Sequence, residues 1–297
     1  MSPQLEFVAD AARFLDAAAG LLAADPVACS VVASFANRAV AAREAGVAPP
    51  PGDWWLVVRD EGGAVVGAGM RTAPFEPRPP YLLPMPDEAA VALAGALHAR
   101  GEETLGVNGA LPAAALCAQE LARLGGGRVE VSRHTRLFEL GELDWPAPAP
   151  GRLRHAGRDD LDVTAEWYAA FGGDADEQAG RPRGSSAHEL PSRDDLLRRI
   201  EAGHVYLWVD AHDRPVHMLG ATPPAFGTVR LGPVYTPPAE RGRGWAGNAV
   251  AHLSHRLRAA GLRVCLYTDQ DNPTSNKIYV ALGYRPVVDT ANLLITR

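Results

Sequence analysis

The chain has 297 residues, 47% hydrophobic and 22% charged, which suits a folded protein of two ordinary domains and not a disordered one. A net charge of −6, with neither a basic block nor an acidic tail, argues against a nucleic-acid partner held through phosphate neutralisation. Glu6 and Asp10 stand where a secretory signal needs basic residues, and no apolar run approaches the roughly 20 residues of a membrane span. Cys29, Cys117 and Cys265 are scattered through apolar stretches, without the spacing of a disulfide framework or a metal site. A soluble cytoplasmic protein with no membrane partner and no metal is expected.

In chain order, the first legible element is a hairpin over residues 55–75, "WLVVRDEGGAVVGAGMRTAPF", turning at Asp60 through Gly63. A helix is predicted near 87–101, a strand near 103–109, a helix near 112–124 and a strand within 128–140. Between the hairpin and the first of these helices lies "PFEPRPPYLLPMP". Proline cannot donate to a ladder, so any strand there is shortened or replaced. Pro146, Pro148 and Pro150 then mark a stiff, extended connector.

A second hairpin over 206–226, "YLWVDAHDRPVHMLGATPPAF", repeats the first, with Asp60 and Thr72 answered by Asp210 and Thr222. A strand within 228–236, a helix near 245–261, a strand at 263–269, a helix near 273–283 and a strand within 284–296 follow. The expected architecture is α/β with mixed sheets, as two domains of similar plan: 1–145, a proline-rich linker at 146–151, and 152–297. Trp54, Trp55 and Trp145 are expected in the core.

Gly242, Gly244 and Gly247 spell the G-x-G-x-x-G fingerprint of dinucleotide sites, and Asp269 stands where a ribose-binding acid would. The context is wrong. Residues 236–241 separate the strand from Gly242, and too few strands remain to complete a dinucleotide-binding sheet. The physics of the segment is still informative. Glycines let the backbone take positive φ and lie close to a ligand, and the unpaired amides of the following helix attract anions. A phosphate or pyrophosphate cradle is one reading of this stretch, and a glycine-rich loop leading into an ordinary helix is the other.

The run as a whole resembles the GNAT superfamily of acyl-CoA-dependent N-acetyltransferases. The pattern [Q/R]-x-x-G-x-[G/A] falls on Arg241, Gly244 and Ala246. The pattern N-x-x-S-N-x-x-Y-x-x-x-G-[Y/F] falls on Asn272, Ser275, Asn276, Tyr279, Gly283 and Tyr284. The resemblance is strong over residues 204–297, weaker over 151–203 and indirect over 1–145, where it is closest to bacterial members whose amino-terminal half is a degenerate GNAT-like domain.

That resemblance implies acetyl-CoA as donor and the amine of a small molecule or peptide as acceptor, in a monomer or homodimer. It implies that backbone amides of Arg241, Gly242, Arg243, Gly244, Trp245 and Ala246 meet the pyrophosphate. Val234, Tyr235 and Thr236 would pair with the pantetheine arm along a splayed strand, with Gly232 and Pro233 making the irregularity. Asn272, Ser275 and Asn276 would line the cofactor side, and Tyr279 would be the general acid. On a helix, Ser275, Asn276 and Tyr279 share one face and Ile278, Ala281 and Leu282 another, which is expected to pack on the sheet.

Acyl transfer to an amine also requires a polarised carbonyl and a proton acceptor. The Val234 amide is the candidate for the first. For the second, His217 is a candidate by its intrinsic pKa, as are Glu166, Asp174, Asp176 and Glu177 by position. Those acids equally suit a solvated helix end or attraction of a cationic amine, and a water chain without a dedicated base is a further option. The helix beginning Asp87-Glu88 would repel a pyrophosphate, so no donor site is expected in the first domain. A non-catalytic acyl-CoA-binding protein of the same fold is the alternative.

Overall fold

The computed structural model describes residues 3–185 and 190–296. They pack as two compact units, Met1–Arg136 with Val288–Arg297, and Leu137–Val287. The proline-rich stretch lies inside the second unit, and the last residues of the chain belong to the first.

In unit 1 the order is β1 (Gln4–Val8), α1 (Ala11–Ala24), α2 (Ser30–Glu44), β2 (Trp54–Arg59), β3 (Val65–Arg71), β4 (Tyr81–Leu82), α3 (Asp87–Ala99), β5 (Gly106–Ala110), α4 (Ala113–Gly125) and β6 (Arg128–Leu140), whose end crosses into unit 2. In unit 2 come β7 (Arg152–His155), α5 (Leu161–Gln178), α6 (Arg193–Glu201), β8 (Val205–Val209), β9 (Pro215–Ala221), β10 (Thr228–Tyr235), α7 (Trp245–Ala259), β11 (Arg263–Asp269), α8 (Pro273–Ala281) and β12 (Tyr284–Thr296), which returns to unit 1.

The two units repeat one plan. From β1 to β5 successive neighbours pair antiparallel, antiparallel, antiparallel and parallel, and from β7 to β11 the same sequence of pairings recurs. The register agrees to the residue. Arg59 faces Val65 and Val209 faces Pro215, each 150 positions apart, and each hairpin carries a bulge just before that pair.

Every residue of β8 is buried, and period-two alternation sends its side chains to opposite faces. Tyr206 and Trp208 join the core beneath α7 and α8, and Val205, Leu207 and Val209 join the core beneath α5 and α6. In unit 1, Trp54, Leu56 and Val58 pack toward α3 and α4 while Trp55 and Val57 pack toward α1 and α2. Burying side chains of this size stabilises by about 1.5–3 kcal/mol each, which fixes the register of both hairpins.

The units part company at their parallel pair. In unit 1 the proline-rich run leaves β4 two residues long, and Gly109 lets it close on β5, since a Cβ there would stand 2.2 Å from the Leu82 carbonyl oxygen. Only residues 83–86 join β4 to α3, whose first turn holds Asp87 and Glu88. In unit 2, β10 stays beside β11 from Thr228 to Leu231 and then leaves it.

Trp54 and Trp55 are core residues, but Trp145 is 52% exposed, resting on His252 and His255 of α7 with ring centroids 5.0 and 5.4 Å away. The tryptophan type does not by itself place a ring inside.

Candidate functional site

The site begins with the bulge in β10. Leu231 faces Ala221 and Val234 faces Leu219, so three steps along β10 answer two along β9. Gly220 makes room, because a Cβ there would meet the Gly232 carbonyl oxygen at 2.5 Å. The Ala221 N–H donates to His204 O at 2.9 Å, on the β8 side of the sheet. By alternation Leu219 also turns its polar groups to β8, so its partner Val234 turns its own away from β9 and toward the space that β10 opens by leaving β11.

Past Thr236 the chain makes a short 3-10 turn, Pro238–Glu240, and reaches α7 through Gly242 and Gly244, both at φ 79°. Gly244 is the cap of α7 and offers no side chain, and the first bond closing the helix runs from Asn248 N to Gly244 O at 3.1 Å. The amides of Trp245, Ala246 and Gly247 therefore lack an intrahelical acceptor. Their partial positive charge faces a loop in which Arg243 pairs with Glu240 at 2.9 Å. Asn248, 3% exposed, ties the connector to this helix: its Nδ2 donates to Ala147 O and Gly244 O, both at 3.0 Å, and its Oδ1 accepts from Ala149 N at 3.3 Å. Asn248 thus fastens residues 147–149 to the start of α7.

Asn272 caps α8, accepting from Ser275 N at 3.1 Å, and Pro273 occupies the first turn. Asn276 Nδ2 lies 2.8–3.1 Å from the carbonyl oxygens of Asp269, Gln270 and Asn272, so it holds the turn between β11 and α8.

These elements enclose a cavity of about 520 Å³. Pro146 and Ala147 form one side, and Phe171, Asp174, Ala175 and Gln178 of α5 another. Val234, Tyr235, Thr236 and the stretch from Glu240 to Asn248 form a third; Asn272, Thr274, Ser275, Ile278, Tyr279 and Leu282 close it. Tyr279 is 6% exposed, and burial pushes its phenol well above the ordinary range, so it is protonated at neutral pH. The Trp245 indole N–H is buried without an acceptor among the described residues.

The wall from α5 carries a buried ion cluster. Asp174 Oδ2 accepts from Tyr235 O–H at 2.9 Å and from Arg241 Nη2 at 2.7 Å, and its Oδ1 accepts from Arg183 Nη1 at 2.7 Å. Arg183 crosses α5 over Gly173, where a Cβ would be 2.6 Å from its Cγ. Burial, and the donation to Asp174, push the Tyr235 phenol up to about 12. Asp176, fully buried, lies 3.5 Å from Arg181, which also reaches Asp269. Glu177 lies 3.6 Å from Arg183 at the surface, and Glu166 is not on the cavity wall.

Most residues singled out in the sequence meet at this cavity; two expectations are corrected. His217 does not line it: fully buried on β9 opposite Trp208, its Nδ1 is 2.7 Å from Thr236 Oγ1 and its Nε2 has no partner among the described residues. Burial lowers its pKa to about 3, which makes it a poor proton acceptor for an alkylammonium. From α8 and the residue after it, 274, 275, 278, 279 and 282 reach the cavity, not 275, 276 and 279: Ile278 and Leu282 are turned in and Asn276 is turned to the backbone. Both faces satisfy helical spacing, so spacing alone could not choose. On α5 the cavity face is 171, 174, 175 and 178; of these only Asp174 is a candidate from the sequence, although the i, i+3, i+4, i+7 spacing is visible in "FGGDADEQ".

The family of FR47-like proteins matches residues 224–293, the stretch from the hairpin end through β12. Among solved structures, a GNAT-family acetyltransferase from Colwellia psychrerythraea is 12% identical over 99% of this chain and 100% of its own, with a TM-score of 0.56. A tandem GNAT protein of the clavulanic acid biosynthesis pathway is 15% identical over 98% of both chains, with a TM-score of 0.56. A Drosophila protein is 13% identical over 98% of both, with a TM-score of 0.63. No curated protein sequence matches. The chain thus has the fold of these GNAT structures along nearly its whole length, and resembles FR47-like proteins over residues 224–293.

Proposed function

We propose that the protein is an N-acetyltransferase that moves an acetyl group directly from acetyl-CoA to a primary amine of a small molecule or protein. The observation that carries this reading is one cavity bounded by three things: the outward-turned backbone at Val234, the side-chain-free loop and amides opening α7, and a protonated Tyr279. The donor fits these residues. Gly242 has nothing within 4 Å of where a Cβ would stand, and the α7 amides await an anion. The thioester supplies an acetyl carbon activated toward a nitrogen nucleophile.

In this reading, the amides of Gly242 through Ala246 hold the pyrophosphate, with Arg241 and Arg243 adding positive charge. Asn272 and Ser275 fix the start of α8 against the donor, while Asn276 acts through the backbone turn. Val234, Tyr235 and Thr236 guide the pantetheine arm. The Val234 N–H donates to the thioester oxygen as charge gathers there. The amine nitrogen bonds the carbonyl carbon, the carbon–sulfur bond breaks, and Tyr279 O–H gives its proton to the sulfur. Of the two protons the ammonium loses in becoming an amide, one is released to solvent before attack, since His217 is out of reach. The other, lost after attack, restores the Tyr279 phenol through water in the cavity. Cys29, Cys117 and Cys265 are buried and in no disulfide, which fits a reducing cytoplasm. Among the described residues, no helix is long and apolar enough to cross a membrane.

The test is release of free thiol from acetyl-CoA over a library of amines. Thiol release that depends on one class of amine supports the reading. Saturable acetyl-CoA binding with no amine-dependent release would make the protein an acyl-CoA binder instead.

A further inference from the structure

The buried carboxylate on α5 has no part in the chemistry just described, and its position is costly. It stands in the wall of a cavity meant for an anionic donor, where burial and like-charge repulsion both act against it. Something must offset that cost. Two guanidiniums converge on it: Arg241, and a half-exposed Arg183 that also reaches Glu177.

Arg241 is held at two points. Its Nε donates to Thr236 O at 3.1 Å, at the end of the splayed strand, and its Nη2 donates to Asp174 at 2.7 Å. The Gln178 carboxamide lies 3.0 Å from Arg241 Nη1 and 3.1 Å from Asn272 Nδ2, which carries the link across the cavity to the cap of α8. Beyond Arg241 the loop is held by the Arg243–Glu240 pair and by Asn248 on Gly244 O. Two glycines at positive φ and a helix start without a side-chain cap nevertheless leave its backbone amides free to be ordered by a ligand. A loop of that kind loses conformational entropy when a ligand orders it, and fixing its first residue beforehand removes part of that cost.

We propose that Asp174 is a positioning residue for donor binding, clamping Arg241 so that the loop beyond it is set to receive the pyrophosphate. The inference rests on the reading of this cavity as the acetyl-CoA site. It makes a distinction that simple structural support would not. Asp174 should matter for a donor that has a pyrophosphate and be silent for one that lacks it.

The experiment compares acetyl-CoA with S-acetylpantetheine, which has the thioester arm but neither pyrophosphate nor nucleotide, by titration calorimetry on the full chain. Asp174→Asn is expected to weaken acetyl-CoA by about tenfold and to leave S-acetylpantetheine within about twofold of wild type. Arg241→Gln should give the same pattern, and the double variant should be no worse than the weaker single one. Should Asp174→Asn fail to fold, Asp174→Glu decides: it keeps a carboxylate for Arg183 and Tyr235 but moves it off Arg241, and should again weaken acetyl-CoA and spare S-acetylpantetheine. Wild-type affinity for acetyl-CoA in the variants, or equal loss of both ligands, overturns the proposal. A wild-type protein that binds neither ligand overturns the donor reading itself, and the positioning role with it.

Discussion

Gly220 and the Gly232 carbonyl meet so closely that a Cβ on the first would stand 2.5 Å from the oxygen of the second. The neighbour is backbone, so it cannot swing aside as a side chain would. Gly220→Ala must shift the bulge or part β9 from β10, at a cost of about 1–3 kcal/mol. Urea unfolding measures that loss. Turnover should fall further than stability explains, because the same bulge aims Val234.

Tyr279→Phe removes only the hydroxyl. Turnover should fall by about 10²-fold, the usual scale for loss of a general acid, while acetyl-CoA affinity stays nearly unchanged. Steady-state kinetics paired with calorimetry read the two effects separately, and unchanged turnover would remove Tyr279 from the mechanism.

His217 links stability to pH. Its folded pKa of about 3 lies below the ordinary 6.5, so the unfolded chain binds the proton more readily than the native one. The native state is therefore progressively disfavoured as pH falls through 6.5 and toward 3. This one group contributes a slope of about 1.4 kcal/mol per pH unit inside that window and nothing well above it. Unfolding free energies at pH 7, 6, 5 and 4 should show the slope, and His217→Gln should remove one proton's worth of it.

Asn248→Ala leaves the Ala149 N–H and the Ala147 carbonyl without their partner. Ala147 is exposed and Ala149 half-buried, so water takes the place of Asn248 and each lost bond costs about 0.5–1.5 kcal/mol. Because Ala147 lines the cavity, acetyl-CoA affinity should fall together with thermal stability. A loss of stability with full affinity would show that the connector is only a support.

Much of this was readable because the relevant forces are local. Turn residues at Asp60–Gly63 and Asp210–Arg214 delimit both hairpins, prolines shorten β4, and Asn272-Pro273 announces α8. What escaped depends on partners distant in sequence. Asp174 acquires its role from Arg241, 67 positions on, and Ile278 faces the cavity because of where α5 and α7 stand. Trp145 lies outside because its loop rides on α7, and the strand at the end of the chain pairs with β5, far back in the sequence.

That last strand has a temporal consequence. Thr290 through Leu294 pair with Ala110 through Gly106, so one edge of β5 is covered by residues made some 180 positions later. At about 5–20 residues per second, a ribosome would leave that edge bare for roughly ten seconds or more while all of unit 2 is being synthesised. Unit 1 is thus first to be translated and last to be sealed, and a chaperone or nascent-chain interaction would have its opening there.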